Sequence, residues 1–350
     1  MARRSTPAVG PRIGLWGAGM ISGAHGAAAT FLQMPIVGVA SRTVERAAQQ
    51  AERLSTVAMS YADLPGSAEI VVVSTPPQMH AADTLRLLEA GAAVVVEKPL
   101  CTTLADADAL VAAAAANGQR VLYAENLAYA PVVRELIAQA GRLGPLTHLE
   151  IRTLQTLPTW GDFTSDEWGG GALFDLGVHA LALAVLSAAA NGAGPVICVR
   201  AALRDGAGHN SDEHAEVELT FRSGLVGRVI SSWQNESGQT WDVQLSSATG
   251  VLRAEFWPTP TLERDGEPVP MPTTTMPIAF IEDLGYVAQL QDFADDIARG
   301  QTPFMDVQFG RLILDIVCAA YWSAGHGSVD EAVPFTGPRD KTPLQLWHGT

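Results

Sequence analysis

Cysteine is scarce in this chain: three in 350 residues, Cys101, Cys198 and Cys318, far apart in sequence. That number and spacing exclude a disulfide framework, show no metal-ligand pattern, and predict a reducing, cytoplasmic setting. Positive charge is also short, with 22 Lys and Arg against 37 Asp and Glu and a formal net charge of −15. Nucleic acid or an anionic membrane surface would demand clustered cations, so neither is an expected partner. No apolar run is long enough to span a bilayer, and the longest, "ALALAVLSAAA" (Ala180–Ala190), reads as a buried helix. The opening "MARRSTPAVGPR" is basic but no apolar stretch follows it, so no secretory signal is predicted. Internal repeats are lacking, and the Pro/Thr-rich "MPTTTMP" around Thr274 reads as a loop, not a domain linker.

What is present is a globular composition, 47% hydrophobic and 17% charged, in a chain longer than one core usually organises. Two domains are expected. The first begins with an apolar strand, Ile13–Trp16, then turns at Gly17-Ala18-Gly19 into small helix formers. Gly17 would permit the tight turn, and Gly19 would let a pyrophosphate approach the unpaired N–H groups of a helix start. Alone, this pattern reads equally well as a plain glycine turn. Its context strengthens it. "PIVGVAS", "EIVVVSTP", "AAVVVEKP" and "RVLYAEN" are strand-like and alternate with helical runs. Continuous apolar strands alternating with helices predict a parallel, doubly wound α/β sheet.

The residues after the second strand bear on the cofactor. An NAD enzyme usually places Asp or Glu there, for the ribose 2′-hydroxyl. Here stand Ser41, Arg42 and Thr43, with Arg46 one helical turn on. A hydroxyl and guanidinium suit a 2′-phosphate, which a carboxylate would repel. NADP(H) is therefore favoured over NAD(H).

A second group of residues suggests acid–base chemistry. Lys98 ends a buried parallel strand, the edge at which such sheets bind ligands. "GGGALFDLGVH" (Gly169–His179) puts three glycines ahead of Asp175 and His179, an i, i+4 pair whose side chains should meet on one helical face. The glycines would let substrate and nicotinamide lie close to the backbone. Taken singly, Lys98 reads as a surface lysine paired with Glu97, and Asp175–His179 as a helix-surface pair. Trp160, Phe163 and Trp168 cluster before the glycines, and their faces suit a sugar's C–H surfaces or ordinary packing. Arg152 and Gln155 lie on the preceding strand, "LTHLEIRTLQ", with either face open to them.

Gly17-Ala18-Gly19-Met20-Ile21-Ser22 followed by His25, "STPPQMH" (Ser74–His80), "EKP" (Glu97–Pro99) and the glycine-led "GGGALFDLGVH", in that order and spacing, make the chain resemble the Gfo/Idh/MocA oxidoreductases. The resemblance implies an N-terminal Rossmann domain over residues 10–126 and a C-terminal α/β domain over 127–350 with a large, mostly antiparallel, open-faced sheet. It implies hydride transfer between a nicotinamide and a carbon of a sugar, polyol or keto-sugar. Lys98, Asp175 and His179 match the family's active-site lysine, aspartate and histidine. The cofactor would meet Gly17, Gly19, Met20, Ile21, Ser41, Arg42, Arg46, Ser74, Thr75, Pro76, His80, Glu97 and Lys98. The substrate would meet Tyr129, Arg152, Trp160, Phe163, Trp168, Asp175 and His179. The Lys98-Pro99 bond is often cis in the family, no metal is expected, and the second sheet implies a homodimer or homotetramer. Three departures bear on the substrate. Pro77 stands where relatives often carry Asn, Ala180 to Ala184 lacks a common Asp, and Ala130 replaces a larger polar residue. Two other activities fit the same residues: a glycosidase that retains NAD and oxidises its substrate transiently, and a non-catalytic dinucleotide sensor.

Overall fold

The computed structural model describes residues 10–272, 275–276 and 279–350. The basic start as far as residue 9, and Thr273, Thr274 and Pro277 of the Pro/Thr segment, lie outside the described residues. The first half runs β1 (Ile13–Trp16), α1 (Met20–Phe31), β2 (Ile36–Ala40), α2 (Val44–Arg53), β3 (Ala58–Met59), β4 (Ile70–Val73), α3 (Pro77–Glu89), β5 (Ala93–Glu97), α4 (Leu104–Ala116) and β6 (Val121–Ala124). The six strands are all parallel, in the order β3-β2-β1-β4-β5-β6. "IGLW", "IVVV" and "VLYA" are buried along their whole length, as helices on both faces require. Val71, Val73, Val94 and Val96 pack into one core with Leu87 and Leu110. Their neighbours Ile70, Val72 and Val95 face the other way, against Ile13, Leu15 and Ala28. Each such side chain contributes about 1.5–3 kcal/mol on burial, so a carboxylate at Val72 would break the sheet. The chain reverses direction of winding between β1 and β4, which opens a crevice at their carboxyl ends.

A 3₁₀ turn at Asn126–Tyr129 leads into α5 (Pro131–Ala140) and β7 (Leu146–Leu154), then a π turn at Leu173–Gly177 that runs into α6 (Val178–Ala190). Next come β8 (Val196–Asp205), β9 (Asp212–Phe221), β10 (Val226–Ser232), β11 (Thr240–Ser247), β12 (Gly250–Trp257), β13 (Thr261–Arg264) and β14 (Glu267–Pro268). The chain ends with α7 (Ala279–Asp283), α8 (Tyr286–Arg299), α9 (Val307–Gly325), β15 (Glu331–Ala332) and α10 (Pro343–His348). The nine-stranded second sheet has the order β14-β13-β12-β11-β7-β10-β9-β8-β15 and is antiparallel except where β7 meets β10. α7 and α8 are separated at Gly285, whose φ is +87°.

Strand alternation gives this sheet two unlike faces. Leu149, Ile151, Val229, Val243 and Leu245 are buried with the apolar residues of α6 and α9. Glu150, Arg152, Arg228, Asp242 and Glu216 occupy the other face, where Arg152 pairs with Asp242, and Arg228 with Glu150 at 3.3 Å and Glu216 at 2.6 Å. One stretch among the described residues, 166–190, is long and apolar enough to cross a membrane, and most of it is buried in the fold. The last helices return to the first sheet. α8 packs on α1, adding Leu290 and Phe293 to the core around Ile13 and Leu15, while α9 packs on α4 and β6.

Candidate active site

The crevice starts at Gly17, whose φ of +124° suits only glycine and whose added Cβ would lie 2.7 Å from the Ser74 carbonyl oxygen. Gly19 caps α1 without a side chain, and a Cβ there would meet nothing within 4 Å. The first N–H groups of α1, from Met20 and Ile21 onward, therefore face an open approach, the arrangement that holds an anion. The Ser74 hydroxyl is buried without a protein partner among the described residues. Beyond β2, Ser41 Oγ accepts from the Thr43 N–H at 3.4 Å. Arg42 and Arg46 are exposed and have no acidic partner among the described residues. These groups fit a dinucleotide: an open helix start suits its pyrophosphate, and exposed guanidiniums lie beyond β2.

Lys98 follows β5, and its bond to Pro99 is cis. Its ammonium donates to Asp175 Oδ1 at 2.9 Å and to the Asp175 carbonyl oxygen at 3.0 Å. Burial works against the charged ammonium, but the Asp175 carboxylate, with Glu97 and Glu125 behind it, outweighs burial and holds Lys98 above the usual lysine range. Glu97, buried, does not pair with that ammonium. Its Oε1 meets His25 Nε2 at 2.7 Å and its Oε2 accepts from the Lys98 backbone N–H at 3.1 Å. Burial opposes the Glu97 charge, yet His25 and Lys98 bring its pKa below the usual carboxylate range. His80 bridges two loops, Nδ1 to the Pro99 carbonyl at 2.8 Å and Nε2 to the Thr75 carbonyl at 2.7 Å. The Thr75 hydroxyl donates to Asp83 at 2.7 Å, and Pro76 is exposed at the start of α3. Glu97 and His80, expected against the cofactor, instead use their polar atoms on the protein and brace the segments that carry Lys98 and Thr75.

The expected contact between Asp175 and His179 is not made. Asp175 sits in the π turn and His179 in α6 after it, and each has a partner from the first half of the chain. Asp175 takes Lys98. His179 Nδ1 lies 2.7 Å from Oε1 of Glu125, a fully buried carboxylate directly after β6, and the other ring nitrogen bonds no described residue. Glu125 also accepts from the Leu127 N–H at 3.3 Å.

The glycines do different work from that expected. Gly169 adopts φ +87°, and a Cβ on Gly171 would lie 2.1 Å from the Asp212 carbonyl oxygen. The space goes to protein, not ligand. Asp212, fully buried at the start of β9, accepts from the Gly171 N–H at 3.0 Å and the Leu173 N–H at 2.8 Å. The Tyr321 hydroxyl of α9 donates to the same carboxylate. Asp212 thus caps, from 39 residues away, the helix that carries Asp175 and His179.

Two further expectations need correction. Arg152 lies on the open, ion-paired face of the second sheet, whereas Thr153 and Ser231, bonded to each other at 2.9 Å, lie under Gly177 of the π turn. Strand alternation therefore turns Arg152 away from His179. Tyr129 is 1% exposed inside the core with Leu290 and Phe293, and its hydroxyl accepts from the Met305 N–H at 3.3 Å. The aromatic loop does gather: Phe163 lies 5.9 Å from Trp160, 4.7 Å from Trp168 and 6.2 Å from Trp233 between ring centres. Trp241 stands 5.8 Å from His179. Glu125, Asp212, Trp233 and Trp241 escaped the sequence reading. Glu125 carries the same signal as Lys98, a charged residue just past a buried parallel strand; the other three have no local signature.

Comparison with known proteins agrees with this arrangement. The family model described as "Oxidoreductase family, NAD-binding Rossmann fold" matches residues 11–125, and that described as "GFO/IDH/MocA C-terminal domain" matches 132–253. A putative UDP-kanosamine synthase oxidoreductase subunit of Amycolatopsis mediterranei is 32% identical over 300 residues, 76% of this chain and 81% of its own length. A trans-1,2-dihydrobenzene-1,2-diol dehydrogenase of Bos taurus is 26% identical over 94% of this chain and 99% of its own. The crystal structure of GenD2 from gentamicin A biosynthesis in complex with NAD shares the fold, with a TM-score of 0.80 at 23% identity, covering 95% of this chain and 99% of that one. With both halves matched in order, the chain belongs to the Gfo/Idh/MocA family of oxidoreductases.

Proposed function

We propose that the protein is an NADP(H)-dependent dehydrogenase or reductase acting on a CH–OH carbon of a sugar, polyol or keto-sugar. The observation that carries this reading is the meeting of Lys98, from the edge of the first sheet, with the helix that bears Asp175 and His179. The nicotinamide, when bound, supplies the hydride acceptor or donor. Lys98, held as an ammonium by Asp175, donates a hydrogen bond to the substrate oxygen and stabilises negative charge that develops there. His179 takes the hydroxyl proton on its unbonded ring nitrogen during oxidation and returns it during reduction. Glu125 fixes the ring by holding Nδ1, so that the other nitrogen is the one available to the substrate. Asp175 positions Lys98. The α1 start with Gly17, Gly19, Met20 and Ile21 takes the pyrophosphate, with Ser74 beside it, while Ser41, Arg42 and Arg46 take the 2′-phosphate.

Turnover of a panel of sugars and polyols with NADP⁺ and NAD⁺ in parallel tests the proposal. Oxidation with a preference for NADP⁺ is expected. A preference for NAD⁺ overturns the reading of Arg42 and Arg46. Binding of cofactor with no turnover of any alcohol or carbonyl overturns the catalytic assignment.

A further inference from the structure

From the aromatic track and the charge around it we infer that the substrate is an uncharged glycoside with an aromatic aglycone, not a nucleoside-diphosphate sugar. The inference rests on the oxidoreductase reading above and names the substrate class of the same site. The track begins at His179, with Trp241 5.8 Å away. Trp241 and Phe163 pack with Ala172, Leu176 and Trp233 in a small cluster, which Trp241 joins to the main core. Phe163 then carries the track to Trp168 and to Trp160, which is 53% exposed. A chain of aromatic contacts thus runs from the proton-transfer residue to the exposed Trp160, and aromatic faces hold flat, apolar groups.

Two polar atoms of the cluster are left for a ligand to satisfy. The indole N–H groups of Trp233 and Trp241 are buried without a partner among the described residues, and Trp233 is only 4% exposed. A buried donor left unpaired is costly, and hydroxyls of a bound sugar ring would satisfy both.

The charge around the path decides between neutral and anionic substrates. Segments 153–199 and 229–252, which carry the aromatic residues, and 205–221 beside them contain no Lys or Arg, and the one cation beside the Thr342 that packs on Gly169 is Lys341. Asp162, Asp166, Glu167 and Glu236 are exposed on those segments. Asp166 is held near the β8–β9 connection by Asn210, at 2.9 Å. A diphosphate needs cations or helix starts, and here it would meet carboxylates. A neutral aryl group would not.

Isothermal titration calorimetry in the presence of NADP⁺, together with turnover, tests this with three probes: 4-nitrophenyl glucoside, methyl glucoside and UDP-glucose. The 4-nitrophenyl glucoside is expected to bind roughly tenfold tighter than methyl glucoside, the worth of one aromatic stack, and UDP-glucose weaker than both. In Trp160→Ala, where the side chain is half exposed and its loss leaves the fold in place, the aryl-to-methyl ratio should fall severalfold. Phe163→Ala gives an independent check on the same ratio. Tighter binding of UDP-glucose, an unchanged ratio in both variants, or no binding of any glucoside overturns the inference. Aryl-selective binding with no turnover of any probe supports the track and sinks the catalytic reading. Turnover without aryl selectivity does the reverse.

Discussion

Lys98 and Asp175 are 77 residues apart in sequence, yet the ammonium of one lies 2.9 Å from the carboxylate of the other. The pair joins the edge of the parallel sheet to the helix that covers the second sheet. Both side chains are largely buried, at 17% and 10% exposure, so removing either one strands the other without its partner.

Replacing Lys98 tests what that ammonium does. Lys98→Ala should lower kcat by about 10²–10³-fold, the usual cost of losing one donor to a developing oxyanion. NADPH binding, followed by fluorescence titration, should change little. Loss of cofactor binding in parallel with kcat would assign Lys98 to the cofactor and not to the reacting oxygen.

Glu125→Gln separates orientation from packing. A glutamine amide can turn its NH₂ toward His179 Nδ1, which forces the proton onto the other ring nitrogen and blocks it as an acceptor. We expect kcat to fall by about 10²-fold or more with KM within a few-fold of wild type. A change confined to KM would show that Glu125 shapes the substrate pocket instead.

The cap at Asp212 makes a pH-dependent prediction. Burial pushes this carboxyl up to about 6, against the hydrogen bonds from Tyr321, Leu173 and Gly171 that pull it down. The native state therefore holds the proton more tightly than the unfolded chain, where the value is ~3.9. The stability so gained is complete below the unfolded value and is lost as pH rises through the folded one. Between about pH 5 and 7, wild type should lose ~1.4 kcal/mol relative to Asp212→Asn, measured by urea unfolding at both pH values. A constant difference across that range would show that Asp212 does not titrate in the fold.

Arg42→Ala addresses the cofactor. If its guanidinium meets the 2′-phosphate, KM for NADP⁺ should rise about 10–100-fold, as loss of a charge-assisted hydrogen bond implies. The KM for NAD⁺ should hardly move. The effect should shrink with added salt because Arg42 is exposed. Equal losses for both cofactors would place Arg42 on a part that the two share.

Much of this was legible in the sequence because local rules were enough. "IVVV" and "VLYA" carry no polar alternation, which states that both faces are covered, and Gly17 sits where only glycine can turn. Lys98 was readable from its place at a strand end. The partners were not, because they depend on which loops a distant segment reaches. Helical spacing pointed Asp175 at His179, and nothing local announces a π turn or the carboxylate of Glu125 that takes the ring. Gly171 was read as space for a ligand, whereas that space is filled by the backbone of Asp212, 41 residues on. Arg152 shows a smaller failure: period-two alternation separates the faces of a strand but does not say which one a helix will cover.

The seating of α8 on α1 governs how the molecule comes apart. Leu290 and Phe293 lie beside Ile13 and Leu15, so the dinucleotide-binding half is finished by residues from nearly the other end of the polypeptide. Such interleaving makes the two halves cooperative. The protein should melt in a single calorimetric transition, and a fragment truncated after residue 126 should expose that apolar patch and aggregate.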